Sequence, residues 1–299
     1  MAAGKGKPMS MPEGTIAPVP TPLTATHLFD AAAQRAHIEW LAAQGLDGVL
    51  VLGTNGEFPS FSLAERRTVA EEAAAVGSEL QLLLGIGSCA LVEVVEMAAI
   101  AASAGYEAVL CPPPFYFRSA PLRGLADFFE AVLDRSPLPV LLYHIPQVSG
   151  VPISDELLDL IGEHQNLAGV KDSSGNTEEL QRLTDRFADR IYLVGHDRLV
   201  TACRAAGGNG SISAAASVTP RLVSAVHGGE AEQEELTAVR SLLETYGLGP
   251  SVKSILRRAG LGAFATRPPL LGLDPTRENE LWTAFCRLVP EEDRPRILG

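Results

Sequence analysis

Two residues of this chain combine reactive side chains with the spacing expected of a covalent catalyst, Lys171 and Tyr143. Each follows a short apolar run, residues 167–170 before the lysine and 140–142 before the tyrosine. The chain has four lysines and twenty arginines. Arginine is therefore the usual basic residue of this chain, and a lysine at the end of an apolar run indicates an amine that acts as a nucleophile. A guanidinium could not take this role, because it cannot lose its proton to attack a carbonyl. The alternative is a lysine that only pairs with a carboxylate.

Strand-like and helical patterns alternate along most of the chain. Short apolar runs predict strands near residues 15–19, 48–52, 80–85, 108–111, 140–143, 167–170, 192–195 and 210–213. Amphipathic stretches predict helices at roughly 27–44, 63–77, 91–104, 121–135, 155–162, 176–187, 197–206 and 219–228. Because a crossover helix joins parallel strands and eight such units close a barrel, the pattern predicts an α/β fold, the (β/α)8 or TIM barrel.

The predicted domain organisation has three parts. Residues 1–13, rich in Gly, Pro and Met, predict a flexible N-terminal tail, and residues 14–229 form the barrel. Residues 230–299 carry helical patterns only, which predicts a three-helix C-terminal extension packed on the barrel as part of the same domain. The helix after Lys171 is predicted to start with Thr177 as its N-cap.

Composition narrows the function classes. The net charge of −12 argues against nucleic acid and against anionic membrane surfaces as partners. The four cysteines are widely spaced without a CxxC pair, which predicts reduced, buried thiols in a cytoplasmic protein. No apolar run approaches the ~18 residues needed to span a bilayer, and the N-terminus lacks the pattern of a signal peptide.

Tyr143 and Lys171 end neighbouring strands of the predicted barrel. Equivalent positions on adjacent strands lie about 4.8 Å apart, so the phenol and the amine are expected to face each other at the barrel mouth, where such barrels carry their active sites. A general acid/base beside an imine-forming lysine requires that arrangement. His144 is expected to point to the opposite face and to pack against a helix.

A turn rich in small residues follows the second strand, Gly53-Thr54-Asn55-Gly56-Glu57. Two glycines around a hydroxyl and an amide allow backbone N–H groups to converge on an anion. The turn therefore predicts a site for a substrate carboxylate, with an ordinary strand-to-helix turn as the alternative.

Other cofactor motifs are incomplete. Residues 85–90, Gly-Ile-Gly-Ser-Cys-Ala, match the glycine pattern of dinucleotide-binding proteins, but Glu107 stands at the start of the next strand instead of an acidic residue at its end. These glycines are expected to make room for a neighbouring backbone or ligand. The six histidines show no HxxxH or HExxH spacing. We therefore expect neither a metal nor an organic cofactor.

The chain resembles the Schiff-base-forming, pyruvate-dependent aldolases and lyases that include dihydrodipicolinate synthase and N-acetylneuraminate lyase. The resemblance covers about residues 14–275 and rests on four motifs, GTNGE at 53–57, the tyrosine of YHIP at 143, GVKDSSGN at 169–176 and GGNGSIS at 207–213. It implies a (β/α)8 barrel with three C-terminal helices, assembled as a homotetramer of tight dimers.

Residue roles follow from this resemblance. It implies that Lys171 forms the imine, that Tyr143 shuttles protons, and that a tyrosine of a neighbouring subunit joins the relay. Tyr116 is the only phenol near that position, and Phe115 or Phe117 is the alternative occupant. The carboxylate of the 2-oxo acid is expected on the turn, and the last strand is expected to contribute a backbone carbonyl. The expected substrate-binding residues are Gly53, Thr54, Asn55, Ile212 and Ser213.

Departures from the family bear on the substrate. Dihydrodipicolinate synthases carry an arginine where this chain has Val148, and sialate-cleaving members carry a glutamate where it has Arg198 and a serine at about Ala214. The run GTNGEF resembles the corresponding segment of the aldolases that act on 4-hydroxy-2-oxoglutarate and on 2-keto-3-deoxy sugar acids. The expected reaction is therefore cleavage of one of these two substrates to pyruvate and an aldehyde. The alternatives are a 4-hydroxy-tetrahydrodipicolinate synthase and, in another class, a non-catalytic 2-oxo-acid-binding protein.

The aldehyde half of the substrate needs contacts beyond Tyr143. The sequence offers hydroxyl partners in Ser149, Ser213 and the pair His196 and Asp197, and it offers Arg198 for a distal carboxylate.

Overall fold

The structure is a computed structural model and describes residues 12–298. Residues 1–11 of the predicted tail lie outside the described residues. Eight parallel strands close into a barrel in chain order: β1 Gly14–Pro18, β2 Gly48–Val51, β3 Gln81–Gly85, β4 Ala108–Cys111, β5 Val140–His144, β6 Leu167–Asp172, β7 Ile191–Val194 and β8 Gly210–Ile212. The predicted TIM barrel is confirmed.

Helices surround the barrel and continue beyond it. In the barrel they are α1 Ala31–Ala43, α2 Leu63–Ala74, α3 Leu91–Ala104, α4 Leu122–Arg135, α5 Pro146–Ser149, α6 Asp155–Ile161, α7 Thr177–Arg186, α8 Val200–Ala205 and α9 Pro220–Gly228. The C-terminal extension consists of α10 Gln233–Tyr246, α11 Leu248–Arg258 and α12 Pro275–Leu288. No helix among residues 12–298 is long and apolar enough to cross a membrane.

Side chains alternate between two apolar layers, as the period of a strand dictates. In β5, Leu141 and Tyr143 join the cluster inside the barrel, whereas Val140 and Leu142 join the cluster between strands and helices. His144 follows this alternation outward. It is 1% exposed, its Nδ1 accepts from the amide of Ile153, and its Nε2 lies 3.1 Å from Glu179 Oε2 on α7. Its expected packing against a helix is confirmed.

The helix after Lys171 begins one residue earlier than its predicted cap implies. Asn176, not Thr177, is the N-cap, and its Oδ1 accepts from the amides of Glu178 and Glu179. Asn ranks with the best N-cap residues and Thr below it, so the prediction chose the weaker of two neighbouring candidates.

Two further expectations concern glycines and cysteines. A Cβ on Gly85 would collide with the backbone carbonyl of Leu52, so this glycine makes room for a neighbouring backbone, as expected. All four cysteines are unpaired. Cys111 and Cys203 are buried, but Cys89 and Cys286 are only half-buried, so the prediction of four buried thiols is wrong for these two.

Candidate active site

A cavity of about 380 Å³ opens at the carboxyl ends of the strands, where the C-terminal extension covers part of the barrel. Larger grooves of about 520 and 590 Å³ lie on the helical shell, and neither is lined by a lysine or a tyrosine. The chemistry predicted from the sequence therefore belongs to the barrel mouth. Seven of the predicted residues line it: Thr54, Asn55, Tyr143, Val148, Lys171, His196 and Ile212.

Lys171 and Tyr143 meet as the strand register requires. They are paired positions of β5 and β6, they are 3% and 4% exposed, and Lys171 Nζ lies 4.3 Å from the centre of the Tyr143 ring. Within residues 12–298 no carboxylate lies within 4.0 Å of the Lys171 amine. A Cβ on Gly195 would collide with Ser173 Oγ and lie 3.0 Å from Lys171 Cε, so glycine keeps room for the lysine side chain. The alternative, a lysine that pairs with a carboxylate, is not what the structure shows.

Tyr143 is held for proton transfer by two hydroxyls. Its Oη lies 3.3 Å from Thr54 Oγ1 and accepts from Ser173 Oγ over 3.5 Å. Burial opposes its ionisation, but the nearby charge of Lys171 and the hydrogen bonds from Ser173 and Thr54 outweigh burial and lower the pKa of Tyr143. A phenol with a lowered pKa is a better proton acceptor near neutral pH, because more of it is ionised.

The turn that follows β2 presents unused donors to the cavity. Its internal hydrogen bonds run from the amide of Gly56 to the carbonyl of Gly53 and from the amide of Glu57 to the carbonyl of Thr54, 3.0 Å each. Asn55 Nδ2 is buried and has no hydrogen-bond partner among the described residues. A buried donor without a partner costs about 1–3 kcal/mol, so a carboxylate acceptor at this place would relieve that cost.

A buried ion pair fixes the far side of the same turn. Glu57 has a left-handed backbone with φ of 54°, a conformation that costs on the order of 1–3 kcal/mol for a residue other than glycine. Its Oε1 lies 2.7 Å from Nζ of Lys253 on α11, and that amine also donates to the carbonyl of Ala265. The C-terminal extension thereby holds the turn that carries Thr54 and Asn55.

Three predicted site residues do not line the cavity of this chain. Gly53 supports the turn, because its carbonyl accepts from the amide of Gly56. Ser213 is fully buried, and its hydroxyl has no partner among the described residues. Tyr116 is 79% exposed on the surface. Its entry into a neighbouring subunit's site stays a prediction.

Two residues expected to contact the aldehyde half are engaged elsewhere. The Ser149 hydroxyl lies within hydrogen-bond distance of the carbonyls of Ile145 and Val151, at 3.0 and 2.9 Å. Fully buried Asp197 pairs with Arg240 and accepts from the amide of Ala215. These two expectations are wrong, because both side chains are already engaged by other groups of the protein.

The expectation that Arg198 contacts a distal carboxylate of the substrate is also wrong. Arg198 does not line the cavity, and its Nη2 lies 2.6 Å from Glu244 Oε2. Arg240 of α10 lines it instead. Sequence reasoning missed Arg240, Glu57 and Lys253, and only the scarcity of lysine could have drawn attention to the last.

The chain is similar to known proteins along most of its length. The model of the dihydrodipicolinate synthetase family matches residues 11–285. The chain belongs to this family. An uncharacterised DapA-like lyase of Chloroflexus aurantiacus is 36% identical over 294 residues, which cover 94% of this chain and 98% of that protein. The 4-hydroxy-tetrahydrodipicolinate synthase of Rhizobium meliloti is 34% identical, with 91% and 97% covered.

Solved structures agree with the sequence relatives. YagE of E. coli K12, a prophage protein of the dihydrodipicolinic acid synthase family in complex with pyruvate, superposes with a TM-score of 0.86 at 26% identity, covering 92% of this chain and 98% of that one. The dihydrodipicolinate synthase of Aquifex aeolicus gives a TM-score of 0.85 at 28% identity, covering 95% and 99%. This member of the family is a carbon–carbon lyase.

Proposed function

We propose that this protein is a class I aldolase that cleaves a 2-keto-3-deoxy sugar acid or 4-hydroxy-2-oxoglutarate to pyruvate and an aldehyde, through an imine on Lys171. The observation that carries the proposal is the pairing of Lys171 with Tyr143 at the cavity, 4.3 Å from amine to ring centre, without a carboxylate partner for the amine among the described residues. A buried amine beside a phenol that can take up its proton can serve as the nucleophile that imine formation requires.

The reaction proceeds in steps that these side chains can perform. Lys171 Nζ attacks the C2 ketone, water leaves, and a protonated imine forms. Tyr143 accepts the proton of the C4 hydroxyl, the C3–C4 bond breaks, and its electron pair moves into the iminium to give an enamine and an aldehyde. Protonation of the enamine at C3 and hydrolysis release pyruvate and the free lysine. Asn55 and Thr54 hold the carboxylate at C1.

Val148 favours the 2-keto-3-deoxy sugar acid, whose tail carries no charge, over aspartate semialdehyde. It lines the cavity and is 54% exposed, and it supplies no charge to a second carboxylate. A carboxylate desolvated without a bidentate partner costs on the order of 1–3 kcal/mol, a tenfold to hundredfold handicap. The relatives that carry the name 4-hydroxy-tetrahydrodipicolinate synthase keep condensation of pyruvate with aspartate semialdehyde as the second candidate.

A substrate panel tests the proposal. Release of pyruvate, followed with lactate dehydrogenase, is expected from the sugar acid or from 4-hydroxy-2-oxoglutarate, and faster than the condensation of pyruvate with aspartate semialdehyde. Val148→Arg is expected to raise kcat/KM for that condensation roughly tenfold to hundredfold, because it supplies the missing partner. Leu160→Arg, at an exposed position of α6 outside the cavity, is the matched control. A wild-type enzyme that condenses fastest by a wide margin contradicts the argument from Val148.

A further inference from the structure

Arg240 contributes a guanidinium to the cavity from outside the barrel. It lies on α10, its side chain is 10% exposed, and it lines the cavity. Its Nε donates to Glu244 Oε1 and its Nη1 to Asp197 Oδ2, 2.8 Å each. Its Nη2 makes no hydrogen bond to any residue from 12 to 298. Two carboxylates thus fix the guanidinium and leave one donor nitrogen for a ligand.

His196 places a second donor on the same wall. Its ring packs against Gly175, where a Cβ would lie 2.8 Å from His196 Cδ2, and the φ of 72° at that position also favours glycine. Its Nδ1 accepts from the amide of Arg198 over 3.4 Å, so the neutral ring carries its hydrogen on Nε2. Nε2 lies 4.0 Å from Glu244 Oε1, too far for a hydrogen bond. Burial lowers the pKa of His196, which keeps the ring neutral near pH 7.

The charges around these two donors cancel. Arg198 and Arg240 are matched by Asp197 and Glu244, which lie within 2.6–2.8 Å of them. Burial works against ionisation of Glu244, but hydrogen bonds from Arg198 and Arg240 lower its pKa to about 2. The wall therefore offers hydrogen-bond donors without a net positive charge. A carboxylate placed there lacks a counter-ion, whereas a hydroxyl needs only the donors.

We propose that His196 and Arg240 form a specificity site for an uncharged, hydroxylated substrate tail, with His196 Nε2 and Arg240 Nη2 donating to hydroxyl oxygens beyond C4. The inference rests on the proposed function, because the tail belongs to the 2-oxo acid that reacts with Lys171. It selects the 2-keto-3-deoxy sugar acid over 4-hydroxy-2-oxoglutarate, whose tail is a carboxylate.

The contribution of this specificity site can be measured with three substrates that share C1 to C4 and differ only in the tail. They are 2-keto-3-deoxygluconate with hydroxyls, 4-hydroxy-2-oxoglutarate with a carboxylate, and 4-hydroxy-2-oxopentanoate with a methyl group. For the wild-type protein the highest kcat/KM is expected for the hydroxylated tail. His196→Phe removes one donor worth about 0.5–1.5 kcal/mol, so it is expected to lower kcat/KM for that substrate roughly 2- to 12-fold and to leave the methyl-tailed substrate within about twofold.

Two further variants complete the design. Arg240→Lys keeps a positive charge beside Asp197 but loses the planar fork, and it is expected to reproduce the selective loss. If it fails to fold, His196→Phe decides alone. His164→Phe makes the same substitution at a partly exposed histidine that contacts Asp134 outside the cavity, and all three substrates should keep their wild-type rates.

The contrary outcomes are distinct. Highest kcat/KM for the carboxylate tail, or an equal loss for all three tails in His196→Phe, overturns the specificity site. Cleavage of the methyl-tailed substrate with a borohydride-trapped adduct on Lys171 shows in that case that the proposed function itself survives. Absence of both cleavage and adduct removes the proposed function, and the specificity site with it.

Discussion

Two lysines of this chain are buried beside the same cavity, and their surroundings differ in one respect. Lys253 is 1% exposed and has Glu57 Oε1 at 2.7 Å and the carbonyl of Ala265 at 2.9 Å. Lys171 is 3% exposed and has a phenol ring at 4.3 Å, with no carboxylate within 4.0 Å among the described residues. Burial alone therefore does not distinguish the two amines.

The partner of each amine determines its use. Burial lowers the pKa of Lys253, but Glu57 opposes this shift and favours the charged form. A charged amine cannot attack a carbonyl, whereas it can hold a strained turn. Lys171 lacks such a partner and faces Tyr143, whose pKa is lowered and whose oxygen can take up a proton. The comparison assigns structure to one lysine and chemistry to the other.

The largest expected effect separates the two lysines by the same substitution. Lys171→Arg keeps the charge but removes the nucleophile, and turnover is expected to fall roughly 10⁴-fold or more, as for other catalytic nucleophiles. Lys253→Arg keeps the pair with Glu57 and is expected to retain turnover within about tenfold. Steady-state kinetics on protein checked by circular dichroism measure both. Comparable losses of turnover in the two variants would contradict the assignment of different roles to the two lysines.

A smaller effect is expected at the phenol that faces Lys171. Tyr143→Phe removes the acid/base and should lower kcat roughly 10²- to 10⁴-fold. Trapping of pyruvate at Lys171 should persist at a lower rate, because the amine remains. Unchanged turnover in this variant removes Tyr143 from the mechanism.

The smallest effect concerns stability. Lys253→Met leaves Glu57 buried without its partner and is expected to cost about 3–5 kcal/mol of unfolding free energy. The double variant Lys253→Met with Glu57→Gln should recover most of this loss, and Lys171→Met should cost much less, because it strands no carboxylate. Denaturant unfolding measures all three. An equal loss at both lysines would show that their environments do not differ in the way described.

The features that could be predicted from the sequence are those that depend on local sequence pattern. Strand alternation and the order of the strands are sufficient to place Tyr143 beside Lys171 and to turn His144 outward. The same local logic erred by one residue at the cap of α7, where Asn176 and Thr177 compete and Asn has the stronger preference.

Contacts between distant segments were not accessible to that reasoning. Arg198 stands where the sialate-cleaving members carry a glutamate, but packing of α10 on the barrel brings Arg240 to the cavity and pairs Arg198 with Glu244. The pairing of Glu57 with Lys253 likewise depends on where α11 docks. The positions at which α10 and α11 pack on the barrel are not determined by the local periodicity of the sequence. The contacts they make could therefore not be predicted from the spacing of residues.

Covalent trapping tests the central claim most directly. The protein is incubated with pyruvate and borohydride, digested, and the reduced adduct is mapped by mass spectrometry. The adduct is expected on a peptide that contains Lys171, and it should be lost in Lys171→Ala and kept in Lys253→Arg. An adduct on Lys253, or full pyruvate release without any adduct, would contradict the assignment of the chemistry to Lys171.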